Sequence, residues 1–245
     1  MTVGVRKRED DFRTAYASLG ELCSIVPGNV NIMALTATAT LSTFEIVKER
    51  LSLQEPIVIG VSPNRPNINL SVLPTKTLDS VVDIICEGLE KDRLSYPKTV
   101  VFCRSCQDCP KLYDAIIKKL GRAKSEPPGY PNLLEYRLVT MYTRASKSSM
   151  KELVMQIFRS DKSILRVLIA TTAFSMGIDI PDIHQIYHWG VPSDDVEQNL
   201  QEIGRAGRDG KSSYAVLITS KGYNVQQKMK SYCENKDSCR RKKTI

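Results

Sequence analysis

Apolar positions along this chain follow two alternating rhythms, one spaced three and four apart and one spaced by two, which predict helices and strands in succession. Phe12, Tyr16, Leu19, Cys23 and Val26 outline a helix with one apolar face, and residues 31–35 read as a short apolar strand. Ser42 and Glu45 form a capping-box pattern that opens a helix reaching about Leu51. The stretch Pro63-Asn64-Arg65-Pro66-Asn67 then breaks the rhythm, because two prolines within four residues disfavour any helix. Beyond it, Ile68, Leu70 and Val72 alternate as a strand, and Asp79 can cap a helix carrying Val82, Ile85, Cys86 and Leu89. Strand patterns recur at 98–103, 138–142, 165–170, 183–189 and 214–219. Helices are predicted between them from Asp108 to Gly121, around Met150 to Phe158, and from Ser193. Three prolines and a glycine within 122–135 predict an exposed loop. The alternation implies an α/β protein with a mostly parallel sheet flanked by helices, one complete domain following a truncated one.

Composition narrows the class. The 245 residues are 42% hydrophobic, and no run reaches the roughly 18 apolar residues of a membrane span. Arg6, Lys7 and Arg8 are followed by no apolar stretch of the kind a secretory signal needs, so the expectation is an intracellular protein with no membrane partner. Seven cysteines then read as reduced thiols or metal ligands rather than a disulfide framework. The net charge of +8 suggests an anionic partner, but it is unevenly placed. From Lys211 onward there are nine Lys/Arg and two Asp/Glu, which accounts for +7 and leaves the first 210 residues nearly neutral.

The most specific stretch is 201–210, Gln-Glu-Ile-Gly-Arg-Ala-Gly-Arg-Asp-Gly. Arg205 and Arg208 stand three apart at the end of a helix whose apolar positions Val196, Leu200 and Ile203 face a core, so both guanidiniums can project to one side. Two planar, permanently charged forks suit the γ-phosphate of a nucleotide, although two solvated arginines at a glycine-rich helix end would share the pattern. The segment before it, 170–179, Ala-Thr-Thr-Ala-Phe-Ser-Met-Gly-Ile-Asp, leaves the carboxyl end of a strand, the edge at which open α/β sheets bind ligands.

Together these two segments resemble motifs V and VI of superfamily 2 helicases, and their wording is similar to that of the RecQ family of DNA helicases. Asp11-Phe12-Arg13 with Tyr16 resembles the end of the RecQ aromatic-rich loop, Thr36-Ala37-Thr38-Ala39 resembles motif III, and Asn64-Arg65-Pro66-Asn67 resembles the interdomain segment. Residues 100–105, Val-Val-Phe-Cys-Arg-Ser, are similar to motif IV. Tyr232-Cys233-Glu234-Asn235 followed by Cys239-Arg240-Arg241 resembles the entry to the RecQ zinc domain, in the manner of the Bloom-type branch. One departure stands out: where RecQ proteins carry a Tyr-His pair after motif IV, this chain has Tyr142-Thr143.

The resemblance implies a RecA-like helicase fold. Residues 1–62 would be a remnant of a first motor domain, 63–76 the interdomain linker and first strand, 77–220 the second motor domain, and 221–245 the truncated start of a zinc-binding domain. It implies part of an ATP-dependent 3'-5' DNA helicase of DNA repair and recombination in the nucleus, acting on single-stranded DNA and duplex junctions. Carried over by position, Arg208 is the arginine finger and Arg205 a second γ-phosphate contact, with Gln201, Asp179 and Gly177 at the nucleotide cleft. Ser105 and Thr171 would meet the DNA backbone, and Thr36 and Thr38 would couple cleft to DNA. Each has a plainer alternative: Thr36 could end a strand, Asp179 cap a turn, and Gln201 be an ordinary surface residue.

Several groups that a complete motor needs are missing from the sequence. It has no Walker A loop and no Asp-Glu dipeptide, so ATP and Mg²⁺ would be held through the missing first motor domain. Gly204 to Gly210-Lys211-Ser212 is a decoy: it has five residues between its glycines and leads from helix to strand, the reverse of a P-loop. Cys239 alone matches a RecQ zinc ligand, and one thiolate cannot build a tetrahedral site, so no zinc is expected in this chain. Cys103, Cys106 and Cys109 have a spacing compatible with zinc or iron–sulfur ligation but no fourth ligand, and Cys103 reads as a buried small hydrophobe. His184 and His188 read as packed or paired strand residues. The basic end at Arg240, Arg241, Lys242 and Lys243 is expected to fray with nothing to pack against. Alternatives to a motor half are a non-catalytic nucleic-acid-binding remnant and half of a DEAD-box-type RNA helicase.

Overall fold

The computed structural model describes residues 21, 25, 30–35, 41–60, 64–74, 77–131, 133–171, 174, 179–191, 196–219 and 227–243. The chain divides into two compact units, Met1–Pro63 and Asn64–Ile245. In the first, helix α1 spans Leu41–Arg50, with Lys48 and Arg50 in its last turn where they complement the helix dipole. Residues 31–35 do not form the expected strand: they are irregular, with Met33 81% and Leu35 88% exposed. An apolar run becomes a strand only when a neighbour takes up its backbone groups, and this run has no ladder partner among the described residues. The apolar run 57–59 is likewise irregular, with Ile57 and Ile59 more than nine-tenths exposed. The five residues defining the helix foreseen at 12–26 lie outside the described residues, as do Thr36 and Thr38.

The second unit is built on a six-stranded, wholly parallel sheet in the order β1-β6-β5-β2-β4-β3. Its strands are β1 (Ile68–Pro74), β2 (Lys98–Cys103), β3 (Val139–Tyr142), β4 (Val167–Ala170), β5 (Ile183–Trp189) and β6 (Ser213–Thr219). The helices are α2 (Leu78–Asp92), α3 (Asp108–Leu120), α4 (Ser148–Arg159), α5 (Val196–Ile203) and α6 (Gln227–Glu234). Successive side chains on a strand point to opposite faces. In β2, Val101 and Cys103 accordingly pack with Val81, Ile85 and Leu89 of α2 and with Leu112 and Ile116 of α3. Val100 and Phe102 pack on the other face with Val154 and Phe158 of α4 and with Ile203 and Ala206. All six β2 residues are buried, which is why this strand reads as a continuous apolar run rather than an alternation.

One local expectation needs adjusting, and another, the exposed loop at 122–135, is refined. Helix α2 begins at Leu78 with Thr77 at its N-cap position, so Asp79 lies inside the first turn and complements the dipole instead of capping. The proline-rich stretch 122–135 is ordered by short 3-10 turns at Gly121–Lys124 and Leu134–Tyr136. Arg93 pins it, donating to the Ala123 carbonyl at 2.6 Å and to Glu126 at 2.9 Å.

The basic C-terminal segment also departs from expectation. Met229 and Tyr232 of α6 are buried against Val191 and Leu217. The Arg240 guanidinium lies 5.7 Å from the centre of the Tyr232 ring and donates to the Tyr232 carbonyl at 2.7 Å. Arg241 reaches the backbone leading into β1, donating to the Arg65 carbonyl at 2.6 Å. The expected fray fails because α6 has two apolar anchors and its arginines find backbone carbonyls to satisfy.

The entry to β6 is tied to β5 by Asp209, whose carboxylate accepts from His184 Nε2 at 2.9 Å and from the Lys211 N–H at 3.1 Å. Burial would raise the Asp209 pKa, but the His184 and Lys211 hydrogen bonds and their charges outweigh it and hold it below the ordinary carboxylate value. A carboxyl with a depressed folded pKa stabilises the fold above its unfolded pKa and loses that contribution as pH falls through the folded one. Asp209→Asn is therefore expected to lower stability at neutral pH and to flatten the acid decline below about pH 4. Denaturant unfolding followed from neutral to acid pH checks this, and an unchanged acid limb would show that the contact contributes nothing. Met229→Ala should cost about 2–3 kcal/mol in the same assay; no loss would mean that α6 is not docked.

Candidate functional site

Helix α5 descends from the carboxyl edge of the sheet and ends at Ile203, where Ile203 and Ala206 are buried beneath the sheet face. Two tight hydrogen bonds follow, Arg205 N–H to the Glu202 carbonyl at 3.2 Å and Ala206 N–H to the Ile203 carbonyl at 2.9 Å. The chain is then stitched to the start of β5: Gly207 donates to the Ile183 carbonyl at 2.7 Å and Asp209 to the Pro181 carbonyl at 3.2 Å. Gly207 and Gly210 adopt φ of 54° and 82°, the left-handed region that glycine enters at no steric cost. With Ala206 wholly buried, the flanking Arg205 and Arg208 are turned outward, Arg205 half-buried and Arg208 with about a third of its side chain exposed.

Arg208 pairs with Asp179, whose carboxylate is largely exposed. Burial lowers the Arg205 pKa, and the like charge of Arg208 lowers it further, against the opposing pull of Glu202 and Asp179. Two guanidiniums thus lie in one another's field, with the Asp179 carboxylate exposed beside them and Glu202 taken up by His188. Gln201 is exposed on α5 one turn before Arg205, and Gly177 lies outside the described residues. The cluster is suited to bind phosphate oxygens. Among the described residues no group of three His, Cys, Asp or Glu side chains is placed to hold a metal ion.

These residues do not share an edge with the hydroxyls assigned to DNA. The Arg205–Arg208 turn and Asp179 sit at the amino edge of the sheet, beside the first residues of β5. Ser105 and Thr171 follow the last residues of β2 and β4, at the carboxyl edge. A seven-residue strand such as β5 separates the edges by roughly 20 Å, at about 3.3 Å per residue. The carboxyl-edge rule invoked for the segment from Ala170 holds for Thr171 but not for Asp179, since the connection to parallel β5 must return the chain to the opposite edge. Ser105 has a local task as well: its Oγ bonds Asp108 Oδ2 at 2.7 Å and accepts from the Asp108 N–H at 3.2 Å, closing the first turn of α3. Thr171 is buried, with its carbonyl accepting the Phe174 N–H at 2.9 Å. Thr143, in place of the family's histidine, bonds its neighbour Ser146 at 3.3 Å at that same edge.

Glu202 and Arg65 were not legible as participants in the sequence, whereas His188, expected to be packed or paired, is both. His188 and Glu202 form a pair at 2.8 Å, each side chain 2% exposed, with the imidazole stacked on Phe102 at 5.2 Å. Arg65, noted only as part of a linker motif, donates to the carbonyls of Ala206 at 3.2 Å and Gly207 at 2.7 Å. The cysteines of this stretch are free thiols: Cys103 and Cys109 are buried, with Cys109 Sγ 3.7 Å from the Ser105 carbonyl, and their interaction raises the Cys103 pKa together with burial and lowers that of Cys109 against burial, while Cys106 is exposed. Cys239 is exposed.

Comparison with known proteins gives this geometry a family. The helicase conserved C-terminal domain matches residues 78–210, more than half of the chain. The chain is 33% identical over 220 residues to the probable ATP-dependent DNA helicase RecS of Bacillus subtilis, covering 89% of this chain and 40% of that one. It is 30% identical to the ATP-dependent DNA helicase Q-like 4B of Arabidopsis thaliana, over 94% of this chain and 21% of that protein. The RecQ-like DNA helicase BLM of Xenopus laevis is 28% identical over 94% of this chain and 17% of its own length. The chain therefore spans well under half the length of these relatives. Among solved structures, S. cerevisiae Dbp5 bound to RNA and ADP BeF3 superposes with a TM-score of 0.62 at 17% identity, covering 88% of this chain and 52% of that one. The DUF1998 helicase MrfA bound to DNA superposes at 0.52 with 16% identity over 67% of this chain and 21% of its own. One of these holds RNA and the other DNA, so the shared architecture identifies a RecA-like domain and not its nucleic acid. The chain belongs to the helicase conserved C-terminal domain family, and DNA helicases of the RecQ type are among its sequence relatives.

Proposed function

We propose that this chain is the second motor half, with a remnant of the first, of an ATP-dependent 3'-5' DNA helicase of the RecQ type. In this reading it works in DNA repair and recombination in the nucleus on single-stranded DNA and duplex junctions. The observation that carries the proposal is the Gly204–Gly210 turn, which holds Arg205 and Arg208 side by side beside Asp179 on a rigid backbone. In ATP hydrolysis, water attacks the γ-phosphorus while the bond to the ADP oxygen breaks, and negative charge spreads over the γ-oxygens. Arg208 is the finger that meets this charge, and Arg205 is a second contact. Gln201, Gly177 and Asp179 border the cleft, and Asp179 holds Arg208 until a phosphate competes for it. ATP and Mg²⁺ are held mainly by a first motor domain bearing a Walker A loop and an acidic pair. Ser105 and Thr171 supply the DNA track at the opposite edge, with Thr36 and Thr38 coupling the cleft to DNA. Cys239 is one ligand of a zinc site that this chain does not complete. The exposed apolar runs at 31–35 and 57–59 support the remnant reading, since both have the composition of strands awaiting a sheet.

The 245-residue chain alone is expected to hydrolyse no ATP, with or without DNA; DNA-stimulated hydrolysis by the pure chain would overturn this assignment of roles. A chimera with a Walker A-bearing motor domain preceding residues 64–245 tests the arginines directly. Arg208→Ala should lower its DNA-stimulated kcat by about 10³-fold or more, and Arg205→Ala should lower it by less. Unchanged hydrolysis would favour the non-catalytic nucleic-acid-binding remnant instead. Unwinding of duplex RNA in preference to duplex DNA by the same chimera would favour the DEAD-box type.

A further inference from the structure

The turn that carries Arg205 and Arg208 is gripped from outside its own helix. The last carbonyls of α5 are taken up by the N–H groups of Gly204, Arg205 and Ala206, and the carbonyls of the turn itself are met by a side chain distant in sequence. Arg65 places Nη2 at 2.7 Å from the Gly207 carbonyl and 3.2 Å from that of Ala206, with Nη1 3.4 Å from the Gly204 carbonyl. Asn67 adds Nδ2 to the Gly207 carbonyl at 2.8 Å and to the Lys211 carbonyl at 3.0 Å. The approach is so close that a Cβ on Gly207 would lie 2.5 Å from both Asn67 Nδ2 and Ser213 Oγ. A cationic, planar fork suits this place for two reasons: it meets several carbonyls at once, and its charge complements the negative end of α5.

The strap bearing Arg65 is in turn held by the C-terminal segment. Arg241 Nη1 bonds Asn64 Oδ1 at 2.7 Å and the Arg65 carbonyl at 2.6 Å. Its Nη2 bonds the Pro66 carbonyl at 3.2 Å and, by a shorter contact, the Ile68 carbonyl. Arg241 follows Arg240, which is anchored on the buried Tyr232 of α6. A continuous path of strong donors thus runs from α6 through Arg241, residues 64–68 and Arg65 to the arginine turn. We propose that Arg65 is a positioning residue for Arg205 and Arg208, and that Arg241 couples the docking of α6 to that position. The relay is a property of this unit alone; only its consequence for hydrolysis rests on the role proposed for Arg208.

The test has two arms, with Arg→Lys variants that keep the charge and lose the fork. In the 245-residue chain, amide hydrogen exchange is followed at 203–210 and 64–70. Arg65→Lys should speed exchange at 203–210 severalfold. Arg241→Lys should speed it at both stretches, and the double variant should match Arg65→Lys at 203–210, because the two act in series. Exchange at 203–210 untouched by Arg241→Lys would overturn the coupling, and Asn64→Ala provides a milder variant should Arg241→Lys fail to fold. In the chimera, Arg65→Lys should lower kcat about 10- to 100-fold while the KM for ATP, the affinity for DNA and the melting temperature stay close to the parent's. Unchanged kcat in a chimera that Arg208→Ala disables would overturn the positioning role. A chimera indifferent to Arg208→Ala would instead overturn the proposed function, while the exchange arm still decides whether the relay exists.

Discussion

Every strand in the second unit runs in the same direction, and that constraint organises all the rest. A parallel strand cannot be entered by a tight turn, so each connection must carry the chain from the carboxyl edge of the sheet back to the amino edge. The crossovers cover both faces and leave two chemically different rims. At the carboxyl rim, hydroxyls gather as strands end: Ser105, Thr143 and Thr171. The amino rim collects charge. Lys98 Nζ, on a side chain 2% exposed, meets Asp182 at 2.7 Å and the Ser160 carbonyl at 3.1 Å. Beside it burial lowers the Arg166 pKa, with Asp182 opposing, and His184–Asp209 and Arg208–Asp179 complete the row. The proposed phosphate contacts stand on this rim.

Helix α5 connects the two rims and is too short to hold itself. At eight residues it is well below the length at which an isolated helix persists in water. Its position therefore depends on tertiary contacts, and the least replaceable is the His188–Glu202 pair. Both side chains are out of water, so losing either leaves a buried polar or charged group without its partner, at a cost of several kcal/mol. His188 is itself fixed by stacking on Phe102, and Gln198 reaches the other Glu202 oxygen at 3.4 Å. A polar pair at this point specifies which turn of α5 faces β5, whereas apolar contacts of Ile203 and Ala206 alone would tolerate sliding. The register of the arginine turn is thus set three residues upstream, inside the protein.

Much of this fold was legible from patterning because burial wrote it into the sequence. The strands at 98–103 and 183–189 have the bounds their apolar runs predict, since each is covered on both faces. The run at 31–35 looked no different but forms no strand, because sequence records the apolar character of a segment and not whether a partner lies alongside. The same limit hid the outer grip on the arginine turn. Arg65 and Gly207 are 142 residues apart, and a bond from a side chain to a backbone carbonyl leaves no periodicity at the accepting end. The basic tail misled for a related reason: its net charge suggested a solvated end, whereas Met229 and Tyr232 one helical turn apart were the pair that decided its packing. The motif residues themselves stood out at once, but the edge on which each would land follows from topology, which no motif states.

The two-rim arrangement bears on how such a domain could transmit a signal. If the arginine turn meets a nucleotide and the hydroxyl rim meets nucleic acid, as proposed, the sheet between them is a poor lever. Its four inner strands are paired on both sides, β2 and β4 are wholly buried, and closely packed interiors resist graded deformation. The crossover segments are better suited, because they run between the rims without being hydrogen-bonded into the sheet. Helix α5 starts just beyond Val191 at the hydroxyl side and ends in Arg205 and Arg208, and the 171–182 connection joins Thr171 to Asp179 in the same sense. A rigid displacement of α5 by a fraction of its pitch would move the guanidiniums and the carboxyl rim together, provided the strap at Arg65 and Asn67 moved or yielded with it. That strap restrains the turn from outside the crossover, alongside the Ile183 and Pro181 carbonyls, and it is itself held by Arg241 of the segment after α6. The same contacts that fix the arginines at rest therefore also determine how far, and in company with what, they can travel.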